Sequence, residues 1–368
     1  MSRGRFLVVR QQKNENFQRK NGEAKYMRVV QFINKYLIQL LMVVIILGLL
    51  LGYLLPETGK HLQVFYPGAL FIMLYPMMVG IKIDEVVGAA RRLGFMIVVM
   101  VFNYLISPLL AAFLARVFLS AYPDFAVGLI LTGTVPCAGM IVAWTAMAKG
   151  NAPMTLVITV TSLLAGIVLI PLWMSTLADK YVPVDVLKML QTILYTIVIP
   201  LVLGNLTRVW IVKKWGQKKF ADYKPIFPAV SALGMYLVFF ISMMSESVTL
   251  VHNPHYLGII ALPVVILYTL LFGISMLYAR LTCISYPDMV ALVYGVGGKN
   301  ISIALALAVV FFSSLTVMII AIKPLHPGAL HGRIFQVVSL PAEILGKGGT
   351  CTESRRMKLR TTLKLGYE

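Results

Sequence analysis

The sequence predicts an all-α polytopic membrane protein, and three observations carry that expectation. Of 368 residues 59% are hydrophobic and only 13% charged, the mean hydropathy is +0.84, and apolar runs long enough to cross a bilayer, about 20 residues each, recur with short polar connections. A soluble domain carries roughly 25% charged and about 45–50% apolar residues, so this chain has too little polar surface to cover itself in water. The formal charge of +19 would raise nucleic acid as a partner in a soluble protein, and the distribution of those charges decides against that reading below. The three cysteines, Cys137, Cys283 and Cys351, show no paired metal-ligand spacing.

Taken in order, residues 1–30 read as a basic cytoplasmic segment and residues 31–325 as the transmembrane domain. The first apolar run, Phe32–Leu55, is too long for a cleaved leader and reads as a retained first span. Tyr66–Ile83, Phe95–Leu119, Phe125–Ala148, Met154–Leu177, Val186–Trp210, Phe227–Val248, Tyr256–Leu277 and Met289–Phe312 follow. The tenth begins at Ser314 and meets Lys323-Pro324 early, so it is expected to be short or to continue through a proline-broken stretch shielded by neighbours. Residues 346–368 are basic and glycine-containing and read as an unstructured tail.

Basic residues in short loops mark the cytoplasmic side. Eight lie in the N-terminal segment, Arg91 and Arg92 follow span two, Lys149 follows span four, six lie between Arg208 and Lys224, Arg280 follows span eight, and seven lie from Arg333 onward. The alternate connections are nearly free of them. Both termini are therefore expected in the cytoplasm and the protein in the inner or plasma membrane. The positive charge is mostly orientation, which leaves no nucleic-acid partner. Ten spans divide into two five-helix repeats, about 31–180 and 186–335, and an odd repeat number inverts the second copy. Secondary transporters built this way place their site between discontinuous helices in corresponding positions, here the fourth and ninth.

Both candidates carry the residues of a break. Span four holds Gly133, Pro136 and Gly139 in its middle. Proline removes a helical donor and clashes one turn back, and backbone groups freed in hydrocarbon must be buried in protein or line a wet cavity. Span nine holds Gly295, Gly297, Gly298, Lys299 and Asn300. Three glycines weaken a helix by roughly 1 kcal/mol each. A lysine at mid-membrane costs about 2.5–3.5 kcal/mol and faces a cavity or backbone carbonyls. The competing readings are a plain proline kink for span four and a snorkelling side chain for Lys299, which is too far from either end for its stem.

Cys137 directly follows the proline. A lone cysteine in a span is most often a small buried hydrophobe, but a thiolate is also a ligand for soft, thiophilic species. Thr155 and Thr159 lie on one face of span five, either facing the site or bonded to carbonyls of their own turn. Trp144 reads as packing. No catalytic constellation, no resident metal or other cofactor, and no phosphate-binding glycine loop is legible, so neither an enzyme nor an ATP-driven pump is expected.

The segment Pro136-Cys137-Ala138-Gly139-Met140-Ile141-Val142-Ala143-Trp144, closing in Ala148-Lys149-Gly150-Asn151, resembles the fourth helix of the arsenite permeases. They belong to the bile acid:sodium symporter superfamily, and the likeness extends over roughly residues 30–325. The resemblance implies ten spans, a panel and a core domain, crossing fourth and ninth helices, and a cysteine, here Cys137, that takes part in transport of trivalent arsenic or antimony. Where sodium-coupled members place a Ser-Asn pair this chain has Ile141-Val142, and where they place Glu and Gln it has Gly295 and Lys299. Thr155 and Thr159 match hydroxyl positions, and Ser302 is nearest to the ninth-helix glutamate of the arsenite permeases.

The leading expectation is a metalloid efflux permease working by alternating access, not sodium-coupled. Pro136, Cys137, Gly139, Gly295, Gly297, Gly298, Lys299, Asn300, Thr155, Thr159 and Ser302 would line the substrate site, and Lys299 could take part in proton coupling. The alternatives are an organic-anion carrier of the bile-acid type and a non-transporting membrane scaffold that uses its basic loops to bind anionic lipid.

Overall fold

The computed structural model describes residues 27–80 and 93–322. Every regular element among them is helical. The basic segment before Met27, Arg91 and Arg92, the stretch from Lys323 and the tail lie outside the described residues.

Six helices are long and apolar enough to cross a membrane: Pro56–Val79, Leu93–Phe118, Ala152–Leu177, Val186–Tyr223, Ile226–His252 and His255–Leu281. A bent pair, Met27–Lys35 with Gln39–Leu54, makes a seventh if counted as one span, with a 76° bend. The chain is therefore an all-α, multi-pass membrane protein. The helices are labelled α1 (Met27–Lys35), α2 (Leu37–Leu54), α3 (Pro56–Leu62), α4 (Tyr66–Val79), α5 (Leu93–Val101), α6 (Ser107–Phe118), α7 (Pro123–Thr134), α8 (Ile141–Met147), α9 (Ala152–Leu177), α10 (Val186–Ile193), α11 (Ile199–Tyr223), α12 (Ile226–His252), α13 (His255–Leu281), α14 (Tyr286–Gly297), α15 (Ile301–Phe311) and α16 (Ser314–Ile322).

The described chain forms two compact units, each drawn from both halves of the sequence. The first comprises residues 27–80 with Leu194–His252. Here α12 lies against α2 and α4, and glycines set the approach. A Cβ on Gly52 would stand 2.3 Å from the Met244 carbonyl oxygen, and one on Gly234 would stand 2.4 Å from the Met73 nitrogen. In lipid, where apolar side chains gain nothing by leaving their surroundings, such small-residue contacts are a main source of helix association. Hydrogen bonds between the hydroxyls of Tyr66 and Ser242 (2.8 Å) and of Tyr75 and Thr207 (2.7 Å) join helices far apart in sequence.

The basic connection expected after span six is helical instead. α11 runs on through Lys213, Lys214, Lys218 and Lys219 to Tyr223, turning at Gly216, whose φ of 81° is one that only glycine adopts freely. Lysine is a good helix former, and its charge reports the side of the membrane, not the local backbone. Lys214 lies over the rings of Trp210 (5.0 Å) and Trp215 (5.8 Å).

The second unit comprises residues 93–193 with residues 253–322. α5 and α6 form one span joined by a π-helical turn, Phe102–Ile106, and a matching turn, Leu194–Val198, joins α10 to α11. Each turn lies two residues before a proline, Pro108 and Pro200. A ring that lacks the donor and crowds the preceding turn accounts for the local widening. The last described span is short, with α15 and α16 separated at Phe312 and Ser313. Ser313 binds Asp124 (2.5 Å) and the Thr316 hydroxyl donates to the Asp124 carbonyl (3.1 Å), which ties α16 to the start of α7.

Candidate functional site: two helix breaks and the cation between them

Two helices of the second unit stop in mid-course. α7 ends at Thr134, Val135 is extended (φ −70°, ψ 151°), and α8 begins at Ile141. α14 ends at Gly297 and α15 begins at Ile301. Each end leaves orphan backbone groups, and these find their partners in one another. Cys137 and Lys299 form an isolated antiparallel bridge, flanked by Ala138 N donating to Gly298 O (2.7 Å) and Asn300 N donating to Pro136 O (2.8 Å). Two residues of β-pairing thus hold the stretches together inside an all-helical unit.

The approach is close. A Cβ on Gly298 would lie 2.2 Å from Ile141 Cγ2 and 2.6 Å from the Tyr294 carbonyl oxygen, and one on Gly297 would lie 2.5 Å from the Phe272 ring. Gly295 faces Ile158 at 3.1 Å. These glycines therefore make room for neighbouring side chains. The carbonyls they release are taken: Gly295 O accepts from the Asn103 amide (2.9 Å) and Gly298 O from Ala138.

Lys299 is 2% exposed. Its Nζ lies 3.0 Å from Asn103 Oδ1, 3.1 Å from Gly133 O, 3.2 Å from Asn103 O and 3.3 Å from Val135 O. The ammonium therefore closes the C-terminal end of α7, where the helix dipole places partial negative charge. Ser107 Oγ donates to the same Gly133 carbonyl at 2.8 Å.

Cys137 is 1% exposed, with Sγ 3.0 Å from Ser162 Oγ. Ser162 donates to Thr159 O (3.0 Å) and its own carbonyl accepts from Tyr104 OH. Thr159 bonds back to Thr155 O (2.8 Å) and Thr155 to Asn151 O (3.0 Å), while Thr155 also donates to Thr145 Oγ1 (3.2 Å). The two threonines are thus bonded within α9, on the side that carries Ser162. Asn300 caps α15 through Ile303 N (3.2 Å), as Asn151 caps α9 through Met154 N (3.1 Å). Gly139 and Ser302 are half-buried, in the first break and the first turn of α15. Trp144 stands 6.2 Å from the Tyr294 ring.

The structure therefore brings Pro136, Cys137, Gly298, Lys299 and Asn300 into one crossing, with Thr155 and Thr159 behind the cysteine through Ser162. Sequence reasoning missed Asn103, Tyr104 and Ser107. Asn103 carried a signal, as the one amide in the apolar run Phe95–Leu119 and five residues before a proline.

A multi-pass helical protein with two broken helices meeting around a buried cation belongs among the secondary transporters in its architecture. The family model described as "Sodium Bile acid symporter family" matches residues 67–253, just over half of the sequence. The chain is 32% identical over 307 residues to the arsenical-resistance protein Acr3 of Alkaliphilus metalliredigens, covering 77% of this chain and 85% of that one. It is 22% identical to the arsenical-resistance protein Acr3 of Corynebacterium glutamicum (89% and 94% covered) and 26% identical to the uncharacterized sodium-dependent transporter YocS of Bacillus subtilis (79% and 88%). The chain belongs to the sodium bile acid symporter family. It is a secondary transporter and not an enzyme.

Proposed function

We propose that the protein is a metalloid efflux permease that exports trivalent arsenic or antimony by alternating access, without a requirement for sodium. The observation that carries this reading is the thiol of Cys137 placed at the crossing of two helix breaks, where a thiophilic species would find a soft ligand. Relatives named for arsenical resistance cover most of the chain. In the conformation described Cys137 is closed off, so substrate contact would accompany an opening of the break. Pro136, Gly139, Asn300, Thr155, Thr159 and Ser302 complete the proposed surroundings of the substrate, and proton exchange is the proposed counter-movement.

The finer architecture belongs to the same proposal. Ten spans would form two inverted five-helix repeats, the fourth span being α7 with α8 and the ninth α14 with α15. Basic loops and termini would lie in the cytoplasm of a cell whose inner or plasma membrane holds the protein. A bile-acid type of organic-anion carrier is the second reading, favoured by the family description. Arsenite uptake into everted vesicles decides between them. We expect the wild type to accumulate arsenite and Cys137→Ser to lose that accumulation, and unchanged accumulation in Cys137→Ser would sink the metalloid role.

A further inference from the structure

We propose that residues 210–219 form a docking surface for the headgroups of anionic phospholipids, made of Trp210, Lys213, Lys214, Trp215, Lys218 and Lys219 and folded at Gly216. All six side chains are exposed. The apolar part of α11 ends at Val212, and from Lys213 to Lys224 five lysines stand against one carboxylate, Asp222. Basic clusters that follow a membrane helix are drawn to the negative surface potential of anionic lipid, which falls off within a Debye length of the headgroups. Depth is therefore decisive, and the tryptophans set it. Tryptophan settles at headgroup level. Trp210 and Trp215 meet edge to face at 5.6 Å, and Lys214 Nζ lies over both rings, 5.0 and 5.8 Å from their centroids. That ammonium is thereby kept at the height of the rings, within reach of a lipid phosphate.

The turn at Gly216 adds the other two lysines. Its backbone, φ 81° and ψ 159°, lies in a region essentially closed to residues with a Cβ. Nothing stands within 4 Å of where that Cβ would be, so glycine is there for the path of the chain and not for space. The path folds the chain back. Phe220 is buried, with the Arg208 guanidinium 5.6 Å from its ring and the Phe227 ring at 5.7 Å, whereas a straight helix would hold residues 208 and 220 about 18 Å apart. With Phe220 anchored inward, Lys218 and Lys219 just before it stay exposed. Orienting the chain in a membrane needs only an excess of positive charge on one side. It needs neither a tryptophan pair nor a glycine-only turn nor an anchoring ring, and these are what gather the charge into one patch. The inference is independent of what the carrier transports.

The test uses the full chain with Trp144→Phe and Trp173→Phe, which leaves Trp210 and Trp215 as its tryptophans. It is reconstituted in vesicles of phosphatidylcholine and phosphatidylglycerol at about 4 to 1, with bromine on the acyl chains of either the phosphatidylglycerol or an equal mole fraction of the phosphatidylcholine. At low salt, tryptophan quenching by the brominated phosphatidylglycerol should exceed that by the brominated phosphatidylcholine at least about twofold. The excess should vanish in K213Q/K214Q/K218Q/K219Q and in about 1 M sodium chloride, which screens charges beyond about 3 Å. Gly216→Ala should reduce it. Equal quenching by the two lipids at low salt overturns the inference, and so does an excess that survives the four lysine substitutions. An excess that Gly216→Ala leaves untouched overturns the part given to the turn. Should the phenylalanine substitutions prevent folding, the wild type and the quadruple lysine variant are extracted from the same vesicles in mild detergent and their retained phosphatidylglycerol is counted by mass spectrometry. Less lipid on the variant supports the inference, and equal amounts overturn it.

Discussion

The two breaks do opposite work. The first, residues 135–140, contains a proline and ends a helix in carbonyls that have no partner within that helix, so it is an excess of acceptors. The second, residues 298–300, is shorter, has no proline, and supplies donors through the Lys299 ammonium and the Asn300 backbone. Neither would be tolerable in hydrocarbon alone, where each unsatisfied backbone group costs several kcal/mol. A broken membrane helix is thus one half of a matched pair, and its residues follow from what the other half lacks. Proline suits the side that gives up donors, and glycine with lysine suits the side that must come close and donate.

The closeness of the second break is the feature whose removal costs most. Gly298→Ala brings a methyl group against Ile141 and against the rigid Tyr294 carbonyl, and the expected loss is on the order of 3 kcal/mol, the upper range for overpacking. Thermal melting in detergent should show it as the largest fall in this series. Measured against Ile141→Ala alone, Gly298→Ala should cost less but not nothing, because the backbone clash stays. Gly297→Ala should cost less, since the Phe272 ring it meets at 2.5 Å can swing aside. A Gly298→Ala protein that melts like the wild type would show that the crossing is looser than described.

Asn103 serves both breaks at once. It accepts from Lys299 twice and donates to Gly295, although one of those acceptors is its backbone carbonyl and survives truncation. Asn103→Ala therefore removes one charge-assisted bond and one neutral bond, and a loss of about 2 kcal/mol is expected. Melting of Asn103→Ala within a degree of the wild type would show that the Asn103 side chain contributes little to holding the lysine.

How much of this was legible in the sequence follows the same division. Pro136, the glycines and Lys299 announce themselves because each breaks a rule of its own helix. Asn103, Tyr104 and Ser107 break no rule of theirs. An amide or hydroxyl in a span can bond locally, and only the tertiary arrangement turns these three toward residues dozens to almost two hundred positions away. The apolar runs were readable as membrane helices for the same local reason. The resemblance implied two domains, but which helices make up each unit was not legible, because a unit interleaves both halves of the chain through contacts such as Tyr66 with Ser242. The segment from Arg208 to Lys224 misled in the other direction, since charge was read as loop where the chain is helical as far as Tyr223.

The two asparagine caps give a smaller contrast. Asn300 caps α15 and Asn151 caps α9, but Asn151 also donates to Asp288 Oδ1 at 2.7 Å. Asn300→Ala should cost about 1 kcal/mol, the usual value of a lost cap. Asn151→Ala should cost more, roughly 1.5 kcal/mol, because the carboxylate loses a donor as well. Equal effects in a melting comparison would mean that the Asp288 contact contributes nothing measurable.

Cys137→Ser should have the smallest effect on stability and the most informative one. Serine is smaller and can keep the bond to Ser162, so the side chain remains paired in its buried position, and the expected change is below about 1 kcal/mol. Lys299 faces it across the β-bridge and is held by four oxygens, so its loss should be felt in melting. The thiol lies against the Ser162 hydroxyl, and its loss should be felt in transport. If Cys137→Ser melts as far below the wild type as Gly298→Ala does, the sulfur is a packing element of the first break, and its place at the crossing no longer argues for a thiophilic substrate. If melting is unchanged while arsenite accumulation is lost, the two breaks differ in chemistry as they do in bonding: one side would carry the ligand for the substrate and the other the charge that holds the crossing closed.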